Sequence, residues 1–123
     1  MINKFYFDTY ALVEIYKGNP NYEGYKEDVD LMLNELNILE YVYFLIRENR
    51  GGNLKQIFDN LKKFAVEYDD TILVDAAKMK FEYKKDKLSY VDCVGYIIAK
   101  KKGVRFLTGD EKFKGRANVE FVK

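Results

Sequence analysis

The 123-residue sequence predicts a three-layer α/β/α sandwich around a short, mostly parallel central sheet, built as one domain over residues 1–123. Two observations carry that expectation. Short apolar runs of strand length lie near both chain ends and alternate with longer segments of helical period. No stretch is rich in Pro or Ser and no repeat is visible, so nothing in the sequence marks a linker.

Taken in order, Ile2 to Phe7 is an aromatic and apolar strand, ended by Asp8-Thr9. Ala11, Leu12, Ile15 and Tyr16 recur at helical spacing, and Gly18-Asn19-Pro20 closes that helix as a C-cap and turn. Tyr22 to Glu27 reads as a short helix or a loop. Val29 to Leu33 is the second strand. Asn34 then suits an N-cap and Glu35 the first turn, where the helix dipole favours an acid. From Leu36 to Arg47 the period is helical, with the apolar sector centred on Leu39, Val42 and Ile46, and Gly51-Gly52 stops it.

Asn53 is placed to cap the next helix, marked by Leu54, Ile57, Phe58, Leu61 and Phe64. Thr71 is the expected cap of a further helix carrying Ile72, Ala76, Met79 and Tyr83. Ser89 opens another through Ala99, whose end is suited by the cations Lys100-Lys101-Lys102 and by Gly103 in a left-handed cap. Val104 to Leu107 and Val119 to Val122 are the third and fourth strands.

Composition removes whole classes of chemistry. The chain has 21 basic and 20 acidic residues, no His and a single Cys. Without His there is no Ser-His-Asp or Cys-His base and no His-bound zinc or haem. Cys93 alone forms neither an intrachain disulfide nor a zinc cage. The strong metal-binding side chains that remain are carboxylates, which favour hard cations such as Mg²⁺ or Mn²⁺. A net charge of +1 argues against a surface built to coat a polyanion. No apolar run approaches the roughly 20 residues of a membrane span and no signal-peptide core is visible, so no membrane partner and a cytoplasmic location are expected.

Parallel sheets place ligands at the carboxyl ends of their strands, beside the point where chain order reverses. Asp8 and Asp110 stand at two such ends. Singly, each reads as a turn or cap residue; together, at equivalent ends of one small sheet, they suggest a site. Asp92 is the only charged residue between Ser89 and Lys100, in a helix apolar on nearly every face. Burying it costs several kcal/mol unless it is paired, capped or bound to a cation. Ser89-x-x-Asp92 is also a capping box, so capping and metal binding stand level. At 100° per residue Asp92 lies beside the small Gly95 and Ala99, which let another element or a substrate approach. Glu40 falls on the flank of its helix near Leu36, Tyr43 and Arg47, where a solvated glutamate is the default.

Four segments tie these acids together. Phe7-Asp8-Thr9, the run Leu39-Glu40-Tyr41-Val42-Tyr43-Phe44-Leu45-Ile46-Arg47-Glu48, Leu88 to Cys93 and Phe106 to Phe113 resemble, in order and spacing, the signatures of the PIN-domain nucleases. The last two, around one helix and one strand, are the most specific, and the four span nearly the whole chain. The chain is similar to the VapC-like toxins of toxin–antitoxin pairs. That resemblance implies a Mg²⁺- or Mn²⁺-dependent ribonuclease whose quartet maps to Asp8, Glu40, Asp92 and Asp110, an RNA substrate, an antitoxin partner and a homodimer. Two departures stand out. Tyr10 replaces the small polar residue usual after the Asp-Thr pair, which narrows the pocket. Glu35 competes for the second place, and at about 140° from Glu40 around the helix only one of them can face the site.

Phosphodiester hydrolysis needs activated water and relief of charge in the transition state; without His, a carboxylate-held cation is the sensible source of both. Thr108 and Thr9 are placed to hydrogen-bond an acid or position the attacking water, or equally to cap backbone amides. Four crowded carboxylates are expected to have raised pKa values and to gain from a cation. Basic residues should rim such a site: Arg47, Lys84, Lys85, Lys87, Arg105, Lys112, Lys114 and Arg116 are candidates, with plain solubility as the competing role for most. None of the 11 Tyr is singled out for base stacking. Phosphoryl transfer through Asp8 is disfavoured, because Tyr10 stands where a dehalogenase-type enzyme needs an acid and no acidic pair follows the first strand. The alternative is a PIN-like module that binds RNA or protein without turnover, its interface drawn from exposed aromatics of the Ala11–Tyr16 or Asn53–Phe64 helices.

Overall fold

A computed structural model describes residues 3–123. Four strands, β1 (Asn3–Phe7), β2 (Val29–Met32), β3 (Arg105–Thr108) and β4 (Val119–Phe121), form one sheet in the order β2-β1-β3-β4. All three pairings are parallel. Ile2, expected to begin the first strand, lies outside the described residues. Alternation along β1 divides the core between the two faces of the sheet. Phe5 and Phe7 meet Ala11, Leu12, Ile38 and Leu107 on one side. Tyr6 meets Phe106, Met79, Val94, Ile98 and Phe113 on the other. Helices cover both faces, giving the three layers expected from strands that alternate with helices.

The first face is covered by α1 (Thr9–Lys17), α2 (Glu35–Arg47) and α3 (Leu54–Lys62). The second carries α4 (Asp70–Glu82) and α5 (Tyr90–Lys102). Local chemistry sets the boundaries. Gly18 and Gly103 take φ of 77° and 69° to close α1 and α5, as their C-cap positions require. Tyr22 to Glu27, which reads as a short helix or a loop, begins inside a 3-10 turn that spans Pro20–Tyr25 and is capped by Asn19.

Three expectations are corrected. Asp69, not Thr71, caps α4: its carboxylate accepts the Ile72 amide at 3.2 Å. α3 stops at Lys62, so Phe64 falls in the following turn and is 44% exposed. The third concerns α2, whose apolar sector centred on Leu39, Val42 and Ile46 does not face the core as a unit: Val42 packs partly against it, while Leu39 and Ile46 are 58% and 53% exposed. Ile38, Phe44 and Leu45 are buried in their place, together with Asn37. The sequence of α2 is apolar almost all round, so hydrophobicity does not choose a face. A polar anchor does. Asn37 Nδ2 donates to the Phe7 carbonyl at 2.8 Å, and its Oδ1 accepts the Asn34 amide at 2.8 Å.

Candidate active site

β1 is central, and the chain crosses from it to β2 on one side before returning to β3 on the other. Chain order therefore reverses between β1 and β3, and their carboxyl ends define the crevice where open α/β sheets bind ligands. Asp8 follows β1 directly, and its amide donates to Leu107 O of β3 at 3.0 Å. Its Oδ1 accepts the Thr9 amide at 2.8 Å, capping α1, and its Oδ2 accepts the Thr108 hydroxyl at 2.7 Å. Thr108 Oγ1 accepts the Asp110 amide at 3.1 Å, and Asp110 Oδ1 accepts the Lys112 amide at 3.0 Å. One buried hydroxyl thus joins the two acids at neighbouring strand ends. Both threonines bond an acid, since Thr9 Oγ1 donates to Glu40 Oε1 at 2.6 Å.

That bond fastens Glu40 in the orientation the Asn37 anchor gives α2. Glu40 turns into the crevice, while Glu35 is exposed and lies 3.6 Å from Lys62. Asp92 has both of the roles weighed for it. The Ser89 hydroxyl accepts the Asp92 amide at 3.0 Å and Asp92 Oδ2 accepts the Ser89 amide at 2.9 Å, which completes the capping box, yet the residue also lines the crevice. The space beside Gly95 admits Tyr6 rather than a ligand: a Cβ there would lie 2.8 to 2.9 Å from the phenol ring. Asp8, Glu40, Asp92 and Asp110 line one cleft of about 510 Å³. Tyr10 borders it too, packed against Gly109, where any larger residue would strike the Tyr10 ring and the Val122 carbonyl.

Sequence reasoning missed Asn37 and Tyr6, which hold this frame together with Asn34, the expected N-cap of α2. Asn34 Oδ1 accepts the Leu36 and Asn37 amides at 2.6 and 3.1 Å, and Asn34 Nδ2 donates to Tyr6 Oη at 2.5 Å. Asn34, Asn37 and Tyr6 are all fully buried. They link β1, which leads to Asp8, with α2, which carries Glu40 one turn beyond Asn37. The Asn-x-x-Asn spacing at a helix start is a capping-box signal, and it was the available clue.

Electrostatics follow from the crowding. Asp8 is pushed up to about 8, first by burial and then by the Asp92 charge, against the hydrogen bonds from Thr108 and Thr9 that favour its ionised form. Glu40 and Asp92 are also raised, in each case first by burial. Asp92 acts on Glu40, and Asp110 acts on Asp92, while the nearby Lys112 eases the Asp92 charge. At about 8, Asp8 favours its protonated form near neutral pH, chiefly because burial disfavours the charged carboxylate. Of the expected basic rim, Arg47 borders the cleft. Arg105 is paired with Glu120 at 2.7 Å and Arg116 with Asp86, so both are already engaged. Lys84 and Lys114 lie over the rings of Phe81 and Phe121.

The donor set suits a hard divalent cation: carboxylate and hydroxyl oxygens, with no sulfur or imidazole. Among the described residues, no three such acidic side chains already converge into a cage, and each of the four carboxylates is turned toward a local hydrogen-bond donor. Raised pKa values on three of them are what a cation would relieve, so the residues fit the ion in chemistry and in charge.

A parallel sheet with acids gathered at its switch point describes a class of enzyme-like sites, and comparison assigns the family. The PIN domain family model matches residues 5–119, and the chain belongs to that family. No curated protein matches it by sequence. Among solved structures it is similar to the Mycobacterium tuberculosis toxin VapC20, a sarcin-ricin loop cleaving toxin, with 15% identity, a TM-score of 0.77, and coverage of 97% of this chain and 99% of that one. It is also similar to a chain of a Klebsiella pneumoniae toxin–antitoxin complex, at 16% identity and a TM-score of 0.72, covering 94% of each chain. A third likeness is to VapBC2 of Rickettsia felis, bound to a DNA fragment from their promoter, at 14% identity and a TM-score of 0.70, covering 98% of this chain and 99% of that one. Among the described residues, no helix is long and apolar enough to cross a membrane.

Proposed function

We propose that the protein is a Mg²⁺- or Mn²⁺-dependent endoribonuclease, the toxin of a toxin–antitoxin pair. The observation that carries this reading is the meeting of Asp8, Glu40, Asp92 and Asp110 in one cleft at the switch point of a parallel sheet. Asp8 and Asp110, with Glu40 and Asp92, are the residues to hold the cation. When bound, the ion supplies water of lowered pKa and a counter-charge for the developing oxyanion. The chain's own contribution is orientation. Thr108 fixes the Asp8 carboxylate, Thr9 fixes Glu40, and the Ser89 cap holds Asp92 at the mouth of α5. The proton resident on Asp8 near neutral pH must leave before that carboxylate can serve the cation, so loading and proton release are linked.

An antitoxin partner completes the reading, supported by the presence of toxin–antitoxin complexes among the similar structures. A second copy of the chain and a cytoplasmic setting come with the family resemblance alone. The competing reading, a PIN-like module that binds without turnover, draws on the separation of the carboxylates in the described residues. Cleavage of labelled RNA decides between them. Wild type should cut in Mg²⁺ or Mn²⁺ and stop in EDTA, and Asp92→Asn should lose at least a hundredfold in rate. Equal, EDTA-insensitive activity in both proteins would refute the proposal.

A further inference from the structure

The acid cleft does not end at the acids. It continues along α2, past Glu40, to Tyr43 and Arg47, with Lys17 of α1 on the opposite wall. Tyr43 is 61% exposed, a large aromatic surface left open beside a site crowded with carboxylates. The Arg47 guanidinium carbon lies 5.8 Å from the Tyr43 ring centroid and 5.9 Å from that of Phe44, within cation–π reach of both rings. Among the described residues, no carboxylate pairs with Arg47. Glu14, the acid on this stretch of the cleft, is engaged by Lys17 at 3.8 Å and by Asn19 Nδ2 at 2.9 Å.

An arginine lying over two rings, without an acid and two helical turns beyond Glu40, is arranged to meet two oxygens of an oxyanion with its fork, and a phosphate fits. An exposed ring beside it offers a face to a base that has left its stack. We propose that Tyr43 and Arg47 form the subsite for the nucleotide next to the scissile bond: its base stacks on Tyr43 and its phosphate pairs with Arg47. This rests on the ribonuclease reading and sharpens it, because a base can reach Tyr43 only from a single strand or an open loop. The ion-paired Glu14 leaves the opposite wall close to neutral, so the strand meets repulsion at the acids and attraction one step away.

Fluorescence anisotropy with a labelled single-stranded RNA octamer, in EDTA so that no cleavage occurs, tests the contact on the full chain. Tyr43→Ala and Arg47→Gln should each weaken binding about tenfold, with Tyr43→Phe close to wild type. Arg47→Gln should also lower the slope of log affinity against log salt by about 0.7. Phe81→Ala removes an aromatic that is more exposed still, at 73%, but remote from the cleft, and it should change nothing. Wild-type affinity in Tyr43→Ala overturns the proposal, as does an equal loss in Phe81→Ala. A Tyr43→Ala chain that loses self-association in sedimentation while keeping its RNA affinity also overturns it, by assigning this face to a second copy. Binding through Tyr43 and Arg47 without any metal-dependent cleavage refutes the nuclease reading and leaves the contact standing; cleavage with unchanged Tyr43→Ala affinity refutes the contact alone.

Discussion

Asp8→Asn should make the cation-free protein more stable at neutral pH, although it removes a residue from the centre of the site. In the folded chain the Asp8 carboxyl is pushed from an ordinary 3.8 up to about 8, by burial first and the Asp92 charge second. The native state therefore holds a proton that the unfolded chain has released. Between those two values native protein binds more protons than unfolded protein, so stability falls as pH rises across the window and is fullest below about pH 4. Each pH unit costs about 1.4 kcal/mol, which accumulates to roughly 4 kcal/mol by pH 7. Asparagine carries no such proton. Rearranging the 2.7 Å bond from Thr108 costs the variant about 1 kcal/mol, so it should exceed wild type by roughly 3 kcal/mol at pH 7. Urea unfolding in EDTA at pH 4, 5.5 and 7 measures this directly. The two proteins should nearly coincide at pH 4 and diverge steadily above it. Parallel pH profiles, or a variant less stable than wild type at pH 7, would show that Asp8 carries no burial penalty and that the reasoning is wrong.

The same linkage predicts that Mn²⁺ binds wild type more tightly as pH rises toward 8, by up to about tenfold per unit, and releases close to one proton per ion. Calorimetry in two buffers of different ionisation enthalpy reads that proton, and a pH-independent affinity would contradict the assignment. Gly95→Ala should destabilise by about 1–3 kcal/mol, because its methyl would lie 2.8 Å from the fully buried Tyr6 ring. Thermal unfolding checks it, with Gly24→Ala, whose methyl would meet nothing within 4 Å, as the tolerated comparison. Asn37→Ala should cost about 2–4 kcal/mol, since the Phe7 carbonyl and the Asn34 amide each lose a buried partner. Its Mn²⁺ affinity should also drop, because β1 and α2 lose the bond that aligns Asp8 with Glu40; a fall in stability alone would confine Asn37 to a structural role.

Much of this architecture is local in origin, and the sequence expressed it. Gly18 and Gly103 stop helices because their left-handed backbone needs no tertiary partner. The Ser89–Asp92 box and the Asn34 cap are closed by atoms three residues apart, so spacing alone announced them. The strands were legible as short apolar runs, and with them the positions of Asp8 and Asp110 at strand ends. The choice between Glu35 and Glu40 was not local. It depended on the rotation of a helix that is apolar on almost every side, and the Asn37 bond to Phe7, across 30 residues of sequence, made that choice. The raised pKa values, the Thr108 bond from the far end of the chain to Asp8, and the open Tyr43–Arg47 arm exist only once β1, β3 and α2 are brought together. The sequence by itself determined which acids the chain carries and where its elements begin; the tertiary structure decided which of those acids meet, because charge repulsion, burial and long-range hydrogen bonds act through space and leave no periodic mark along the chain.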